Sequence, residues 1–214
     1  VGTDLLYASV TKSVGILAHG KLGNIEWKIV RHLAYGSVPA SILTTLNLKH
    51  MDIASDAAVS TIKFWLGIAL LVTSLSVLFR NQLAKFSKKE HLVNEKWTPY
   101  LTVILGLILG FLVTLTSVGA GALGVTALLI IYPTRSINTI IGSDIAHAVP
   151  LTLVAGLGHA SIGTVDYGLL GTLLIGSVPG IWIGSHLSSK VAEHWVRIAL
   201  ALILIFVGLK LVFH

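Results

Sequence analysis

The sequence predicts an all-α integral membrane protein made of two inverted repeats of transmembrane helices. Of its 214 residues, 54% are hydrophobic and only 11% are charged, whereas a soluble domain carries about 25% charged residues. Several apolar runs, taken with their flanks, approach the roughly 20 residues that cross a ~30 Å hydrocarbon core as a helix. An internal repeat completes the evidence, so the chain is expected to cross the membrane several times.

The repeat has a spacing of 140 residues. Shifted by that distance, "VGTDLLYASVTK" falls on "IGSDIAHAVPLT" without a gap. The same register pairs Gly2 with Gly142, Asp4 with Asp144, His19 with His159, and the "GSVP" at 36–39 with the "GSVP" at 176–179. Chance matches among apolar residues do not reproduce an Asp, a His and a tetrapeptide together, which indicates a duplication.

The elements follow in order from hydropathy and the repeat. The first unit, 1–80, is predicted to contain helices near 3–19, 28–47 and 59–80, and a basic cytoplasmic linker follows at 81–97. The second unit, 98–214, is predicted to contain a Gly-broken helix or re-entrant element over 98–133 and helices near 140–158, 168–187 and 194–213. No copy of the Gly-broken segment precedes Val1 in this sequence, so the first repeat is expected to lack its N-terminal broken segment.

Charge placement predicts the orientation. The linker and the loop holding Lys21, Lys28 and Arg31 are rich in basic residues, whereas the segment 158–168 carries one charge, Asp166. By the positive-inside rule the first two lie in the cytoplasm and the third lies outside, which accounts for the net charge of +6 without a nucleic-acid partner. The two units then have opposite orientations, provided that 98–133 makes an even number of crossings.

The segment "TSVGAGALG", 116–124, is the first candidate site. Its G-x-G-x-x-G string lacks the strand and βαβ context of a dinucleotide site. Two interpretations remain, namely close packing of helices through small residues and an anion site at the N-terminus of a half-helix. In the second, Gly119, Gly121 and Gly124 free backbone N–H donors, and Thr116 and Ser117 add hydroxyl groups.

Four ionisable residues of the predicted helices are candidates for a charged site. Lys12 is either the countercharge of a bound anion or a residue that extends its ammonium to the interface. Asp4 and Asp144 are either N-caps or proton-coupling groups. His147 lies three residues after Asp144, on the same helix face, which would permit a proton relay.

These motifs together resemble the sulfite exporter TauE/SafE family, also called the toluene sulfonate uptake permease family. The resemblance rests on "TSVGAGALG" with the later "IIYP", on "IGSDIAHAVPLTLVAGLGHASIGTVDYGLLGTLLIGSVPG", and on the copy "VGTDLLYASVTKSVG". It implies a multi-pass protein of the bacterial inner membrane that moves sulfite, sulfonates or related anions, coupled to a proton gradient. The sequence departs from the family pattern by lacking a Gly-rich segment ahead of "VGTDLL".

The expected function is therefore secondary transport of a small sulfur-containing anion. A passive anion channel and a structural membrane protein remain as alternatives. Membrane lipids and a possible homo-oligomer are the other expected partners, with no nucleic acid. No enzymatic activity, catalytic residue, cofactor or metal site is predicted, because the polar candidates are scattered and two ligands do not form a zinc site.

Overall fold

The structure, a computed structural model, describes residues 1–21, 25–50, 55–90, 93–119, 121–188 and 193–213. Within these ranges the chain is helical and contains no strand, which confirms the predicted fold class. The helices are α1 (Gly2–Lys21), α2 (Trp27–His50), α3 (Asp56–Glu90), α4 (Thr98–Thr116), α5 (Ala122–Ile131), α6 (Ile137–Ser161), α7 (Tyr167–Ser188) and α8 (Glu193–Phe213).

Three helical segments of the described residues are long and apolar enough to span a membrane: Val59–Phe79, Thr98–Thr116 and Ile137–Ser161. Large apolar side chains also face outward on α7 and α8, where Ile175 is 77% exposed and Phe206 is 71% exposed. An outer surface of this kind is stable in lipid, where apolar side chains need no covering.

Helix α3 differs from its predicted bounds. It has 35 residues, which gives a length of about 52 Å at 1.5 Å per residue, longer than the ~30 Å hydrocarbon core. Its last ten residues, up to Glu90, lie in the segment predicted as the linker 81–97. The polar residues there were interpreted as a helix end, but a helix can continue past the membrane surface into water.

The predicted break in 98–133 is present. Helix α4 ends at Thr116 and α5 begins at Ala122, and between them Ser117, Gly119 and Gly121 have φ values of 57°, 117° and 124°. Glycine adopts positive φ without steric cost, so the chain can leave one helix and reverse here.

The two helices beside the break form a re-entrant hairpin. The hydroxyl groups of Thr102, near the start of α4, and Tyr132, at the end of α5, lie 2.9 Å apart. Both ends of the 98–133 segment are therefore on the same side of the structure. This arrangement is consistent with the even number of crossings that the charge pattern requires, and the number of crossings stays a prediction.

Helices α1 and α6, which carry the two copies of the repeat, pack against each other in opposite directions. Gly2 at the start of α1 lies against His159 at the end of α6, and Leu6 lies against Gly156. The repeat-related pair α3 and α8 is also packed, with a close approach of their backbones at Gly67. Opposite directions are what an inverted repeat requires of α1 and α6, although the inversion of the complete units stays a prediction.

The repeat extends to individual hydrogen bonds at the two ends of the α1/α6 pair. At one end the backbone N–H of Glu26 donates to the Ser143 hydroxyl oxygen at 2.9 Å. At the other end the backbone N–H of Asp166 donates to the Thr3 hydroxyl oxygen at 3.0 Å. A shift of 140 residues converts each bond into the other, and we call them the paired end bonds.

Helices α2 and α4 pack through glycines. A Cβ atom at Gly36 would overlap the Val103 carbonyl oxygen, and one at Gly106 would overlap the Leu33 carbonyl oxygen. Contacts between small residues thus occur in the membrane region as predicted, but these two glycines lie outside the "TSVGAGALG" segment.

Candidate functional site

A group of buried polar side chains lies near the centre of the helices. Ser37 follows the start of α2 by ten residues, and His147 follows the start of α6 by ten residues. Ten residues span about 15 Å of helix, half of a ~30 Å hydrocarbon core. We call Lys12, Ser37, Asp144 and His147 the central cluster.

Asp144 is the most enclosed carboxylate described. The residue is 1% exposed, and neither carboxylate oxygen has a hydrogen-bond partner among the described residues. The alternative that Asp144 caps its own helix is wrong, because α6 begins seven residues earlier at Ile137. The cap is Ser136, whose hydroxyl oxygen accepts from the Thr139 N–H at 3.1 Å.

The Asp144 carboxylate instead lies against a different helix. A Cβ atom at Gly124 would overlap Asp144 Oδ1, so only glycine leaves room for the carboxylate there. Gly124 is the third residue of α5, in the turn where backbone N–H groups lack partners within the helix and the helix dipole is positive. A negatively charged group therefore already occupies a position where the sequence predicted an anion to bind.

Lys12 supplies positive charge to the same place. It lies midway along α1 and interacts electrostatically with both Asp144 and His147. The antiparallel packing of α1 against α6 explains this proximity. The arrangement favours the countercharge interpretation of Lys12 over extension to the interface.

His147 links α6 to α2. Its Nε2 atom lies 2.8 Å from the Ser37 hydroxyl oxygen in a buried hydrogen bond, and its Nδ1 atom has no partner among the described residues. The prediction that Asp144 and His147 share a helix face is consistent with their joint interaction with Lys12. Sequence reasoning missed Ser37; the only available signal was its place in the repeated "GSVP".

The other predicted site residues lie near the tip of the α4–α5 hairpin, where the Gly119 carbonyl accepts from the Gly124 N–H at 3.4 Å. The Thr116 hydroxyl donates to the Leu112 carbonyl at 2.6 Å and accepts from the Val118 N–H at 3.1 Å. The Ser117 hydroxyl donates to Asp4 Oδ2 at 3.4 Å, and Asp4 is exposed. Thr116 therefore stabilises the end of α4, and Ser117 contacts α1.

The two glycines at this tip have different surroundings. No atom lies within 4 Å of a Cβ atom built at Gly121, whereas one at Gly119 would make ordinary contacts with Leu123 and Val113. Of the six residues predicted to bind substrate, the structure brings only Lys12 and Gly124 to Asp144. The remaining four lie at the tip.

His159 forms a hydrogen bond at each ring nitrogen. Its Nδ1 lies 2.8 Å from the Thr164 hydroxyl, and its Nε2 lies 2.8 Å from the Thr114 carbonyl oxygen. Its repeat partner His19 has a side chain outside the described residues. Among the described residues, no group of three or more His, Cys, Asp or Glu could hold a metal ion.

Comparison with known proteins gives the family. The sequence pattern of the family described as "Sulfite exporter TauE/SafE" matches residues 1–211. The chain belongs to the sulfite exporter TauE/SafE family. No solved structure gives a significant match.

Relatives with assigned names are also transporters. The probable membrane transporter protein YjnA of Bacillus subtilis is 36% identical over 214 residues, covering 99% of this chain and 84% of that protein. The probable membrane transporter protein MJ0441 of Methanocaldococcus jannaschii is 26% identical over 221 residues, covering 98% of this chain and 77% of that protein. This TauE/SafE member is accordingly a membrane transporter.

Proposed function

We propose that this protein is a proton-coupled secondary transporter of sulfite, a sulfonate or a related small sulfur oxyanion across the bacterial inner membrane. The observation that carries the proposal is the buried Asp144 carboxylate, which lies against Gly124 in the first turn of α5 without a hydrogen-bond partner among the described residues, on the helix that packs against the helix of Lys12. An ammonium and a helix N-terminus both stabilise negative charge at a depth where an unpaired ion is costly. The family's name supplies the sulfur oxyanion as the first substrate to test.

The antiparallel pair α1/α6 supports a transport cycle. Transporters with inverted repeats bind substrate near the midplane between the repeats and expose it to each side in turn. The position of the central cluster near the centre of the helices supports such a site, and the paired end bonds close the α1/α6 pair at both ends in a similar way. Opening one end while the other stays closed would give access from one side only.

Uptake into proteoliposomes tests the function. The purified full chain is reconstituted, and uptake of sulfite, methanesulfonate, sulfate, phosphate and acetate is compared with and without an imposed pH gradient. We expect saturable accumulation of sulfite or methanesulfonate when the gradient is present. Flux that only equilibrates would identify a passive channel, and absence of flux for both sulfur anions would refute the proposal.

A matched pair of lysine variants tests the site. Lys12→Gln removes the ammonium beside Asp144, whereas Lys49→Gln removes an exposed ammonium near the end of α2. We expect Lys12→Gln to lower the affinity for the anion by about tenfold or more, equivalent to about 1.4 kcal/mol. Lys49→Gln should leave affinity unchanged, and equal effects of the two variants would contradict the assigned site.

A further inference from the structure

The position of Asp144 raises a question about the transported anion. Its carboxylate occupies the first turn of α5, against Gly124, and is enclosed without a hydrogen-bond partner among the described residues. A substrate oxyanion attracted to the positive end of the α5 dipole would meet this carboxylate. Two anions would then share one helix N-terminus and the one ammonium of Lys12.

We propose that Asp144 is a tethered anion that competes with the transported anion for the first turn of α5. Protonation of Asp144 then allows the transported anion to bind at this position. The inference rests on the proposed function and specifies its coupling group. In the resting state the carboxylate faces α5 and interacts with Lys12. When a proton binds to a carboxylate oxygen, Asp144 becomes a neutral carboxylic acid and the substrate anion becomes the counterion of Lys12.

Charge balance explains why the two events are coupled. Lys12 with ionised Asp144 is neutral, and so is Lys12 with a monovalent anion beside protonated Asp144. The combination of Lys12, ionised Asp144 and a bound anion carries a net negative charge in a buried place, which is strongly unfavourable. One proton therefore binds and crosses with each monovalent anion, in the same direction.

Few other ionisable groups face Asp144 from the elements packed on α6. Lys12 comes from α1, and His147 comes from α6 itself, one turn along. Because His147 Nε2 is bound to Ser37, the histidine is held toward α2. The results expected for the Asp144 variants do not depend on proton transfer through His147.

The remaining neighbours contribute no competing charge among the described side chains. Helix α5 contains no ionisable residue, and the one on α4, Tyr100, is exposed. Glu26, just before α2, pairs with Arg135 at 3.0 Å. His32 is the one ionisable residue of α2 that is not exposed, and no electrostatic interaction of Asp144 with it is found.

The first test measures methanesulfonate binding to the purified full chain between about pH 5 and pH 8. Methanesulfonate keeps one negative charge over this range, so any pH dependence belongs to the protein. Over the pH range in which Asp144 is ionised in the free protein, we expect the affinity for methanesulfonate to fall by about tenfold for each unit by which the pH rises, as linkage to one proton requires. Asp144→Asn, which resembles the neutral acid, should bind with an affinity that does not depend on pH.

Transport by the same variant adds a second measurement. Asp144→Asn should exchange methanesulfonate across the membrane but should not accumulate it under a pH gradient, because no proton is carried. Glu95→Gln is the control, since Glu95 is exposed and lies before the start of α4. It should retain both pH dependence and accumulation.

A glycine pair tests whether the two anions share one position. Gly124→Ala places a methyl group where Asp144 Oδ1 lies, whereas a Cβ atom at Gly171 in α7 meets no atom within 4 Å. Gly124→Ala should weaken methanesulfonate binding by about tenfold or more, including in the Asp144→Asn background. Gly171→Ala should bind like the unmodified chain.

The outcomes separate this inference from the proposed function. If the unmodified chain binds methanesulfonate but Asp144→Asn keeps the pH dependence, the inference fails and the proposed function stands. Loss of binding in a folded, monodisperse Asp144→Asn protein would also refute the inference, as would accumulation driven by Na⁺ at constant pH. If the unmodified chain binds and moves neither methanesulfonate nor sulfite, the proposed function fails as well.

Discussion

Helices α1 and α6 carry copies of one sequence but place different groups at the centre of the membrane. Their ends are alike, since each contributes a hydroxyl, Thr3 or Ser143, to one of the paired end bonds. Their centres differ, because Lys12 in α1 corresponds to Thr152 in α6, whose hydroxyl donates to the Ala148 carbonyl of its own helix at 2.8 Å. The repeat therefore preserves the scaffold, while substitutions at its centre create a charged site.

Asp4 and Asp144 show the same contrast at one repeat position. Asp144 is buried against Gly124, whereas Asp4 is exposed and accepts from Ser117. The two residues have similar neighbours before them in sequence, Gly-Thr and Gly-Ser, so these neighbours do not account for the difference. What separates them is the packing of α5 against α6.

The largest expected effect compares the repeat-related glycines of "GSVP". Gly36→Ala forces a methyl group against the Val103 carbonyl, whereas the methyl group of Gly176→Ala meets no atom within 4 Å among the described residues. We expect the first to lower the free energy of unfolding by about 3 kcal/mol through overpacking. The second should change it by no more than about 1 kcal/mol, the helix propensity difference. Denaturant unfolding in detergent measures both, and equal losses would show that α7 has a partner on this face.

The next comparison concerns the serines of the same tetrapeptides. Ser37→Ala leaves the buried His147 Nε2 without its partner, whereas the Ser177 hydroxyl donates to the Leu174 carbonyl of its own helix at 3.0 Å. We expect a loss of about 2 kcal/mol in unfolding free energy for Ser37→Ala and less than about 0.5 kcal/mol for Ser177→Ala. If Ser37→Ala and Ser177→Ala lower the free energy of unfolding by equally small amounts, the hydrogen bond between Ser37 and His147 does not stabilise the fold.

Removing the paired end bonds should give smaller and equal effects. Thr3→Val and Ser143→Ala each remove one hydrogen bond, worth about 1 kcal/mol. The chain contains no cysteine, so single introduced cysteines can report on access from each side. Ser143→Ala should increase labelling near Glu26, and Thr3→Val should increase labelling near Asp166. Increased labelling at the same end in both variants would contradict the assignment of the bonds to opposite ends.

The smallest effect is expected for the ion pair between Arg135 and Glu26, at the end of the α1/α6 pair where Glu26 donates to Ser143. Arg135 lies 3.0 Å from Glu26, with side chains 52% and 23% exposed. Arg135→Gln should therefore cost about 0.2–1 kcal/mol, and the difference should disappear at high salt. A loss that is large and independent of salt would mean that the pair is shielded from water, and unfolding in low and high salt distinguishes the two cases.

Much of the fold could be predicted because lipid imposes simple rules on sequence. Apolar runs gave most helices, and three glycines in a short segment gave the break that separates α4 from α5. The end of α3 was missed because charged residues beyond the membrane are compatible with both a helix and a loop. The candidate site stays a prediction, because Thr116 and Ser117 are assigned to it from their closeness in sequence to the glycines, and their hydroxyls bond to the Leu112 carbonyl and to Asp4 in the structure.

Hydropathy, glycine spacing and a 140-residue repeat are properties of the order of residues, and they identify a helical membrane protein of the TauE/SafE family with a duplicated core and a broken helix. The surroundings of Asp144 are not such a property. This residue, seven residues into α6, faces the first turn of α5 and lies within electrostatic reach of Lys12 of α1. These contacts join residues far apart in the chain, and the antiparallel packing of α1, α6 and the hairpin brings them together.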